Sequence, residues 1–421
     1  MKPGLLAQGP FPVNLQQLFF SYSVHWRKQS KSSLNDILQY AGKKSRPTQD
    51  LTNIINRNRI MCIIDDQIRQ SLKNIQKHTD MDQELMLSFD DCRIKVQTNS
   101  SRLKNNLLRY FNQFIIDPDT PDSHFTVKAL DSQPPRIKIQ LKDKAPEKGK
   151  KKIKEQYADL GSGRIIRKKL TNLCFYFDNQ ENLVVGPCTA NENQVINFIN
   201  NRFIQWKLDQ GCLLCHAAAV TSENQALIIA GFSGMGKSTL ALHLMNKGTT
   251  FISNDRLMIE NKPSGLKIYG VAKLPRVNPG TILNNPSLLK ILNKEEEKRF
   301  RKIGAQKIWS VEHKYDVCID ECFGQARFKL ASYAKALVIL NWHRIPKTPE
   351  LRKVDLTQRL DLLDAVIKSP GLFYLPSAGK PGLVQNKHDY LNLFECCDVY
   401  ELSGGIGFLE AAEKCHKLIS A

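Results

Sequence analysis

The sequence lacks a long apolar run. A membrane-spanning helix needs about 20 consecutive apolar residues, whereas the best run here is the pentapeptide Ala-Leu-Val-Ile-Leu at 336–340. Pro3 and Gly4 also interrupt the N-terminus before the apolar core of a secretory signal can form. We therefore expect a cytoplasmic location and no membrane partner.

A regular cysteine framework is also lacking. The 11 cysteines are irregularly spaced, which is typical of reduced thiols rather than of a secreted disulfide scaffold. Cys212-Leu-Leu-Cys215-His216 matches the attachment motif of c-type haem, but it lies in an apolar run without an export signal. We predict core cysteines beside a functional histidine. The cysteines at 318–322 and 396–397 supply no second half for a zinc site.

Acidic residues are scarce relative to basic ones: 41 Asp and Glu stand against 61 Lys and Arg, a formal net charge of +20. Such a charge fits nucleic acid, an anionic membrane surface or an acidic protein. Much of it lies in 142–169, whose lysine cluster at 148–154 contains no aromatic residue to stack on bases. We predict a solvated loop there, with docking of an acidic partner as the alternative. No nucleic-acid-binding module is recognised in the sequence, which argues against nucleic acid as a partner.

What the chain does contain is a phosphate-binding loop. Residues 231–238 read Gly-Phe-Ser-Gly-Met-Gly-Lys-Ser, after a predicted buried strand at 226–230 and before a predicted helix at 239–245. The glycines let backbone N–H groups face phosphate oxygens at the positive end of the helix. Lys237 can reach the β- and γ-phosphates, and the Ser238 hydroxyl can ligate Mg²⁺. The predicted ATP-binding residues are Gly231, Phe232, Ser233, Gly234, Met235, Gly236, Lys237, Ser238 and Thr239.

A second Mg²⁺ ligand is expected at the tip of a neighbouring strand. The predicted strand 250–253 ends at Asn254-Asp255-Arg256, which makes Asp255 the candidate metal ligand. A residue that only caps a turn is the alternative.

A Pro- and Gly-rich stretch at 269–280 carries two further cations, Lys273 and Arg276. They either bring positive charge to the transferring phosphoryl group or belong to a structural loop. Both interpretations remain open from the sequence.

The chain divides into four segments by pattern. A helix at 101–114, a hairpin within 171–186 and a helix at 191–208 are predicted ahead of the phosphate-binding loop. The predicted organisation is a poorly structured extension (1–46), a helical segment (47–82), a smaller α+β domain (83–205) and an α/β P-loop domain (206–421).

These residues together resemble a known family. His216, one apolar strand, the phosphate-binding loop, a helix ending in Lys-Gly and Phe-Ile-Ser-Asn-Asp-Arg at 251–256 look like the catalytic domain of HPr kinase/phosphorylase. The chain is more closely similar to the HPr-kinase-related group called kinase B, on segments 195–220, 253–258 and 276–280. The resemblance covers most of 85–421. It implies the nucleotide-binding core that HPr kinases share with phosphoenolpyruvate carboxykinases, and a bacterial protein.

The resemblance also implies residue roles. His216 matches a histidine that assists proton transfer, and Asp255 matches a metal-binding aspartate, so His216, Lys237 and Asp255 are the implied catalytic residues. Asn254 stands where the family has a general base, and Lys267 where it has a further acidic Mg²⁺ ligand. An amide cannot accept the proton, but His216, with an ordinary pKa near 6.5, can act as a base at neutral pH. Relatives that are hexameric imply self-association.

Two functions remain open. The first is an ATP- and Mg²⁺-dependent kinase that transfers the γ-phosphate to a protein Ser/Thr or to a small-molecule hydroxyl. Its acceptor is unknown; an acidic or small partner protein is one candidate. The second is a nucleotide-binding regulatory switch, favoured by the amide that replaces a base. The predicted phosphate or substrate contacts are Asn254, Arg256, Lys273 and Arg276.

Overall fold

The structure is a computed structural model that describes residues 79–135, 139–146, 152–161, 163–376 and 385–420. The predicted extension 1–46 and almost all of the predicted helical segment 47–82 lie outside the described residues. The α-helices are α1 (Ser101–Tyr110), α2 (Glu192–Asp209), α3 (Lys237–Met245), α4 (Pro279–Leu283), α5 (Lys294–Arg301), α6 (Ile319–Phe323), α7 (Lys387–Phe394) and α8 (Phe408–His416).

The first sheet is formed by the part of the chain that precedes α2. Its strands are mostly antiparallel, but β2 pairs with β4 and β4 with β9 in parallel. The strands are β1 (Gln83–Phe89), β2 (Cys92–Thr98), β3 (Ile115–Ile116), β4 (Phe125–Asp131), β5 (Lys142–Asp143), β6 (Glu155–Asp159), β7 (Gly163–Lys168), β8 (Cys174–Asp178) and β9 (Asn182–Gly186).

The second sheet follows α2 and has the order β10-β14-β15-β18-β12-β11-β13, with β20 beside β18 and β19 beside β20. A separate two-stranded ribbon joins β16 to β17. The strands are β10 (Leu213–Cys215), β11 (Ala217–Ser222), β12 (Gln225–Gly231), β13 (Thr250–Ser253), β14 (Leu257–Lys262), β15 (Gly265–Tyr269), β16 (Arg276–Val277), β17 (Tyr315–Asp316), β18 (Ala331–Leu340), β19 (Pro349–Lys353) and β20 (Asp398–Gly404).

The predicted helix 101–114 ends earlier than expected. The Ser100 side chain accepts a hydrogen bond from the backbone N–H of Leu103 and caps α1. Leu103 and Leu107, four residues apart, form the buried face of α1. After Tyr110 the chain tightens into a 3₁₀ turn at 112–114, so the helical pattern continues while the α-helix does not.

The prediction of a solvated loop at 142–169 is wrong for much of that segment. β5, β6 and β7 lie there and extend the first sheet from β8. Glu155 on β6 forms ion pairs with Lys144 and Lys168, and Ile165 and Ile166 on β7 are buried. The basic composition therefore concealed a strand pair whose lysines are partly neutralised by one carboxylate.

Helix α2 joins the two sheets. It packs Phe198, Ile199 and Phe203 into one hydrophobic cluster with residues of the first sheet and with Leu214 and Met258 of the second. Apolar residues on nearly every side of α2 are buried, which is expected of a helix enclosed by two layers. The helix was predicted at 191–208, and its position is confirmed. The division into domains at 205/206 stays a prediction, because one core spans both sheets.

A tight hairpin stands where the sequence analysis places one apolar strand after His216. β11 and β12 pair antiparallel through Glu223 and Asn224, which have positive φ values of 45° and 71°. Two such residues form the turn type that matches the twist of a two-residue hairpin. The single-strand prediction is therefore wrong, because the polar residues at 221–225 form the end of β11, the turn and the start of β12.

Candidate active site

Three chain segments meet at one edge of the second sheet. β11 runs antiparallel to both β12 and β13. The start of β11 at His216 therefore adjoins the end of β12 at Gly231 and the end of β13 before Asp255. The resulting cleft has a volume of about 1340 Å³. Of the predicted site residues, those that line it are His216, Ser233, Gly234, Met235, Gly236, Lys237, Ser238, Thr239, Asn254, Asp255, Arg256, Lys273 and Arg276.

Two of the predicted loop residues do not line the cleft. Gly231 ends β12 and is buried, and the Phe232 side chain is 48% exposed to solvent. A third, Thr239, does line it, but its hydroxyl is buried and shares a 2.8 Å hydrogen bond with the Thr281 hydroxyl. These residues shape the loop and its helix rather than present a free polar group.

The loop needs glycine at its last turn. Gly236 precedes α3 with φ = 91°, a left-handed conformation that residues with a side chain rarely adopt. A Cβ atom on Gly236 would also lie 2.7 Å from the ring of Phe408. Conformation and space therefore both exclude a side chain here, and the chain enters α3 with its N–H groups exposed toward the cleft.

Aromatic side chains buttress the loop from behind. The indole Nε1 of Trp342 donates a 2.9 Å hydrogen bond to the backbone oxygen of Met235. The Phe408 ring stacks on His243, with 5.7 Å between ring centroids, and on Trp309 at 5.6 Å. Burial lowers the pKa of His243, which leaves its ring neutral. The sequence analysis missed this aromatic cluster, because its members come from four separate segments.

Lys237 occupies the position predicted for a phosphate-binding lysine. Its side chain is buried, and its Nζ donates to the backbone oxygens of Gly231 (2.7 Å) and Phe232 (3.3 Å). Burial lowers the pKa of Lys237 to about 8, although the charge of Asp255 opposes this shift. Phosphate oxygens at this position would supply the negative charge that the buried ammonium lacks.

His216 and Asp255 form a close pair. The Nε2 atom of His216 lies 3.1 Å from Oδ1 of Asp255, and Nζ of Lys368 lies 3.3 Å from Oδ2. Burial raises the pKa of Asp255, but the hydrogen bond from His216 and the charge of Lys368 outweigh it, so that the pKa lies well below its ordinary range. The carboxylate is therefore ionised at neutral pH, and its side chain is still 52% exposed.

The residues at the cleft fit a magnesium ion bound with phosphate. Ser238 and Asp255 both line the cleft and offer a hydroxyl and a carboxylate oxygen, and oxygen donors are the ligands that Mg²⁺ prefers. A carboxylate accepts several bonds, so the contacts to His216 and Lys368 leave room for a cation. In the described part of the chain, no cluster of three or more His, Cys, Asp or Glu side chains could hold a metal without phosphate.

Asn254 faces the cleft with an unsatisfied group. Its Oδ1 atom is buried and has no hydrogen-bond partner among the described residues. Asn278, which also lines the cleft, has a buried Oδ1 atom in the same condition. Buried polar atoms are rarely left without a partner. Two residues of the cleft lining therefore each carry an amide oxygen that no described residue satisfies.

The predicted cationic side chains at the cleft differ in their bonding partners. Arg276 forms an ion pair of 3.0 Å with Asp316 and is largely exposed. Nη1 of Arg256 and Nζ of Lys273 instead donate to the side-chain oxygens of two asparagines. Burial and then the charge of Arg256 lower the pKa of Lys273 to about 8.

Several cleft residues were missed by the sequence analysis. Lys368 reaches Asp255 because its backbone N–H donates to the Leu214 oxygen beside β10, a long-range contact that no local pattern signals. Others, such as Arg344 and Lys314, lie in loops distant from the phosphate-binding loop in sequence. Cys212 and Cys215 are buried, as predicted, and the described cysteines are all free thiols.

Known proteins are only weakly similar to this chain. No family model and no curated protein matches the chain. Among solved structures, the HPr(Ser) kinase/phosphatase from Coxiella burnetii is similar at 12% sequence identity and a TM-score of 0.24, over 49% of this chain and 90% of that one. The mixed α/β sheets are compatible with a P-loop kinase-like fold. A TM-score this low does not establish a shared fold, so the family resemblance stays a prediction. None of the described helices is long and apolar enough to cross a membrane.

Proposed function

We propose that this chain is an ATP- and Mg²⁺-dependent kinase that transfers the γ-phosphate to an acceptor hydroxyl. The observation that carries the proposal is the His216–Asp255 pair, 3.1 Å apart, in the same cleft as the phosphate-binding loop and Lys237. A nucleotide-binding protein without transfer chemistry has no need of an imidazole held by a carboxylate. Phosphoryl transfer needs positioning, charge neutralisation and a proton acceptor, and each has a candidate here.

The chain's own residues account for the transfer. The backbone N–H groups of 233–238 and the Lys237 ammonium hold the triphosphate. Ser238 and Asp255 would hold Mg²⁺, which would supply charge neutralisation at the phosphates. The acceptor oxygen forms a bond to the γ-phosphorus, the bond from that phosphorus to the β–γ bridging oxygen breaks, and ADP leaves with its electron pair. The hydroxyl proton passes to Nδ1 of His216, since Nε2 is directed at Asp255.

Asp255 orients the imidazole in this scheme. A carboxylate that accepts from one ring nitrogen leaves the other nitrogen as the base and stabilises the imidazolium that forms. Because the pKa of Asp255 is lowered, the carboxylate keeps its charge throughout. Asn254 cannot act as a base, but its unpartnered Oδ1 can accept a hydrogen bond from the acceptor hydroxyl.

A regulatory nucleotide switch is the second candidate. It is favoured by the amide of Asn254 at the strand end where the family has a carboxylate base. Such a protein would bind ATP, hydrolyse it slowly and transfer nothing.

The decisive experiment is transfer of labelled γ-phosphate from ATP to molecules of a bacterial lysate, followed by mass-spectrometric identification of the product. The kinase proposal expects a labelled acceptor that disappears with Lys237→Ala and with Asp255→Ala. Lys302→Ala, at an exposed position beyond the cleft lining, is the matched control. ATP binding and slow hydrolysis with no labelled acceptor would instead support the switch. Absence of ATP binding contradicts both functions.

A further inference from the structure

Two cations in the cleft are held in place by neutral amide side chains. Nη1 of Arg256 donates a 3.2 Å hydrogen bond to Oδ1 of Asn201, and Nζ of Lys273 donates a 2.7 Å bond to Oδ1 of Asn197. Within the described ranges neither cation forms an ion pair with a carboxylate. Their neighbours differ in this respect: Arg276 is paired with Asp316.

The two amides belong to one helix face. Asn197 and Asn201 lie one turn apart on α2, so that their side chains project in the same direction. Between them Nδ2 of Asn200 donates a 3.0 Å bond to the backbone oxygen of Ala272, which anchors the backbone beside Lys273. Neutral amides fix the positions of the two cations but supply no countercharge. Strong binding of an anion requires charged donors that are already in position before the anion binds.

The nucleotide already has its own cation. Lys237 ends the phosphate-binding loop and begins α3, and its Nζ donates to the backbone oxygens of Gly231 and Phe232. Lys237, Arg256 and Lys273 all line the same cleft as Asp255, so two sets of cations share it. The cleft volume of about 1340 Å³ exceeds that of a typical single-ligand pocket, about 300–1000 Å³. There is room for a second, small ligand beside ATP.

We infer that Arg256 and Lys273 bind an anionic group of the phosphate acceptor. The acceptor is then a small hydroxyl compound that carries a carboxylate or a phosphate monoester. A paired guanidinium and ammonium suit both anions, the guanidinium through two parallel donors and the ammonium as a point charge. The inference rests on the proposed kinase function and narrows its substrate class.

Calorimetric titration of anionic probes tests it. The full chain is first saturated with Mg²⁺ and AMP-PNP, a non-hydrolysable ATP analogue. Malate, glycerol 3-phosphate and an acidic serine peptide are then titrated separately, with neutral glycerol as the uncharged reference. The variants are Lys273→Met, which removes a cation, and Asn197→Asp, which keeps the lysine but gives it an internal carboxylate. Lys302→Met is the matched loss of an exposed charge.

The expected result is binding of malate or glycerol 3-phosphate, but not glycerol, to the AMP-PNP-loaded protein. Loss of a hydrogen bond to a charged group should weaken that binding about 10- to 100-fold in Lys273→Met and in Asn197→Asp. The affinity for AMP-PNP should stay within about threefold in both. The stronger of the two probes identifies the anion as carboxylate or phosphate.

Four outcomes overturn the inference. Neither probe binds; or Lys273→Met binds as well as wild type; or AMP-PNP affinity falls tenfold in Lys273→Met, which would assign the cations to the nucleotide; or only an acidic serine peptide binds, which would make the acceptor a protein. Failure of the wild-type chain to bind AMP-PNP is a different result, because it removes the proposed function itself. Binding of AMP-PNP without binding of any anion removes this inference alone.

Discussion

Nε2 of His216 lies 3.1 Å from Oδ1 of Asp255, although the two residues flank different strands. The contact exists because β11 and β13 pair antiparallel, so the start of one adjoins the end of the other. It joins an imidazole to a carboxylate that stays ionised. Of the contacts in the cleft, this pair bears most directly on the proposed proton transfer.

Replacement of His216 tests its role as base. We expect His216→Ala to lower the initial rate of γ-phosphate transfer to the lysate acceptor by about 10²- to 10⁴-fold, the usual contribution of a general base. Nucleotide affinity, measured by calorimetry, should change less than threefold. His388→Ala removes an exposed histidine on α7 and serves as the control. A rate within twofold of wild type in His216→Ala would show that the proton goes elsewhere.

Asp255 should give the chain an acid-sensitive stability term. Its folded-state pKa lies below the ordinary value, so its contribution is present above the unfolded pKa of about 4 and is lost as the pH falls through the folded pKa. The difference in unfolding free energy between wild type and Asp255→Asn should therefore shrink between about pH 5 and pH 2. Urea unfolding at a series of pH values measures it. A difference that stays constant over that range would contradict the lowered pKa.

Nucleotide affinity should depend on pH through Lys237. Burial lowers the pKa of this lysine to about 8, and phosphate oxygens favour the charged ammonium. Affinity should therefore fall as the pH rises through about 8, with proton uptake on binding above that pH. Calorimetry in buffers of different ionisation enthalpy reports both quantities.

Two variants separate the sources of that pH dependence. Lys237→Arg keeps its charge at every accessible pH, so its affinity should be flat where that of wild type declines. Lys273→Met should retain the wild-type slope, because we assign Lys273 to the acceptor. An unchanged decline in Lys237→Arg would mean that another group titrates.

Gly236→Ala should abolish nucleotide binding. The substitution forces a side chain into φ = 91° and places its Cβ 2.7 Å from the Phe408 ring. Gly248→Ala is a matched control, since Gly248 has φ = 94° but nothing within 4 Å of an added Cβ. Backbone strain alone should destabilise Gly248→Ala by about 1–3 kcal/mol. Gly236→Ala should be worse in both stability and affinity, and Phe408→Leu should partly restore it.

The elements that carry local signals were predictable. The phosphate-binding loop, the strand before it and α3 follow from glycine spacing and apolar runs, and α2 follows from its length. Asp255 was predicted because it follows the end of a strand, and Lys237 was predicted because it belongs to the phosphate-binding motif. These predictions depend on residues close together in the chain.

The sequence could not predict which strands and which distant residues come into contact. The turn at Glu223 and Asn224 reverses the chain, and it is the reason that His216 returns to the loop. Lys368 and Phe408 arrive from far along the chain, so no local pattern announces them. The strands β6 and β7 lie in a strongly basic segment, and its charge pattern does not reveal the cross-strand ion pair between Lys168 and Glu155.

The asparagines on α2 separate two kinds of recognition within one cleft. The residues proposed to bind the triphosphate all follow α2 in the chain, whereas the side chains that hold Arg256 and Lys273 come from α2 itself. Under the proposed assignment, substitutions on one face of α2 would change which acceptor binds while the loop and its lysine stay intact. Acceptor specificity could then evolve through α2 while the phosphate-binding loop stays the same. New acceptors are to be sought first among variants at 197 and 201.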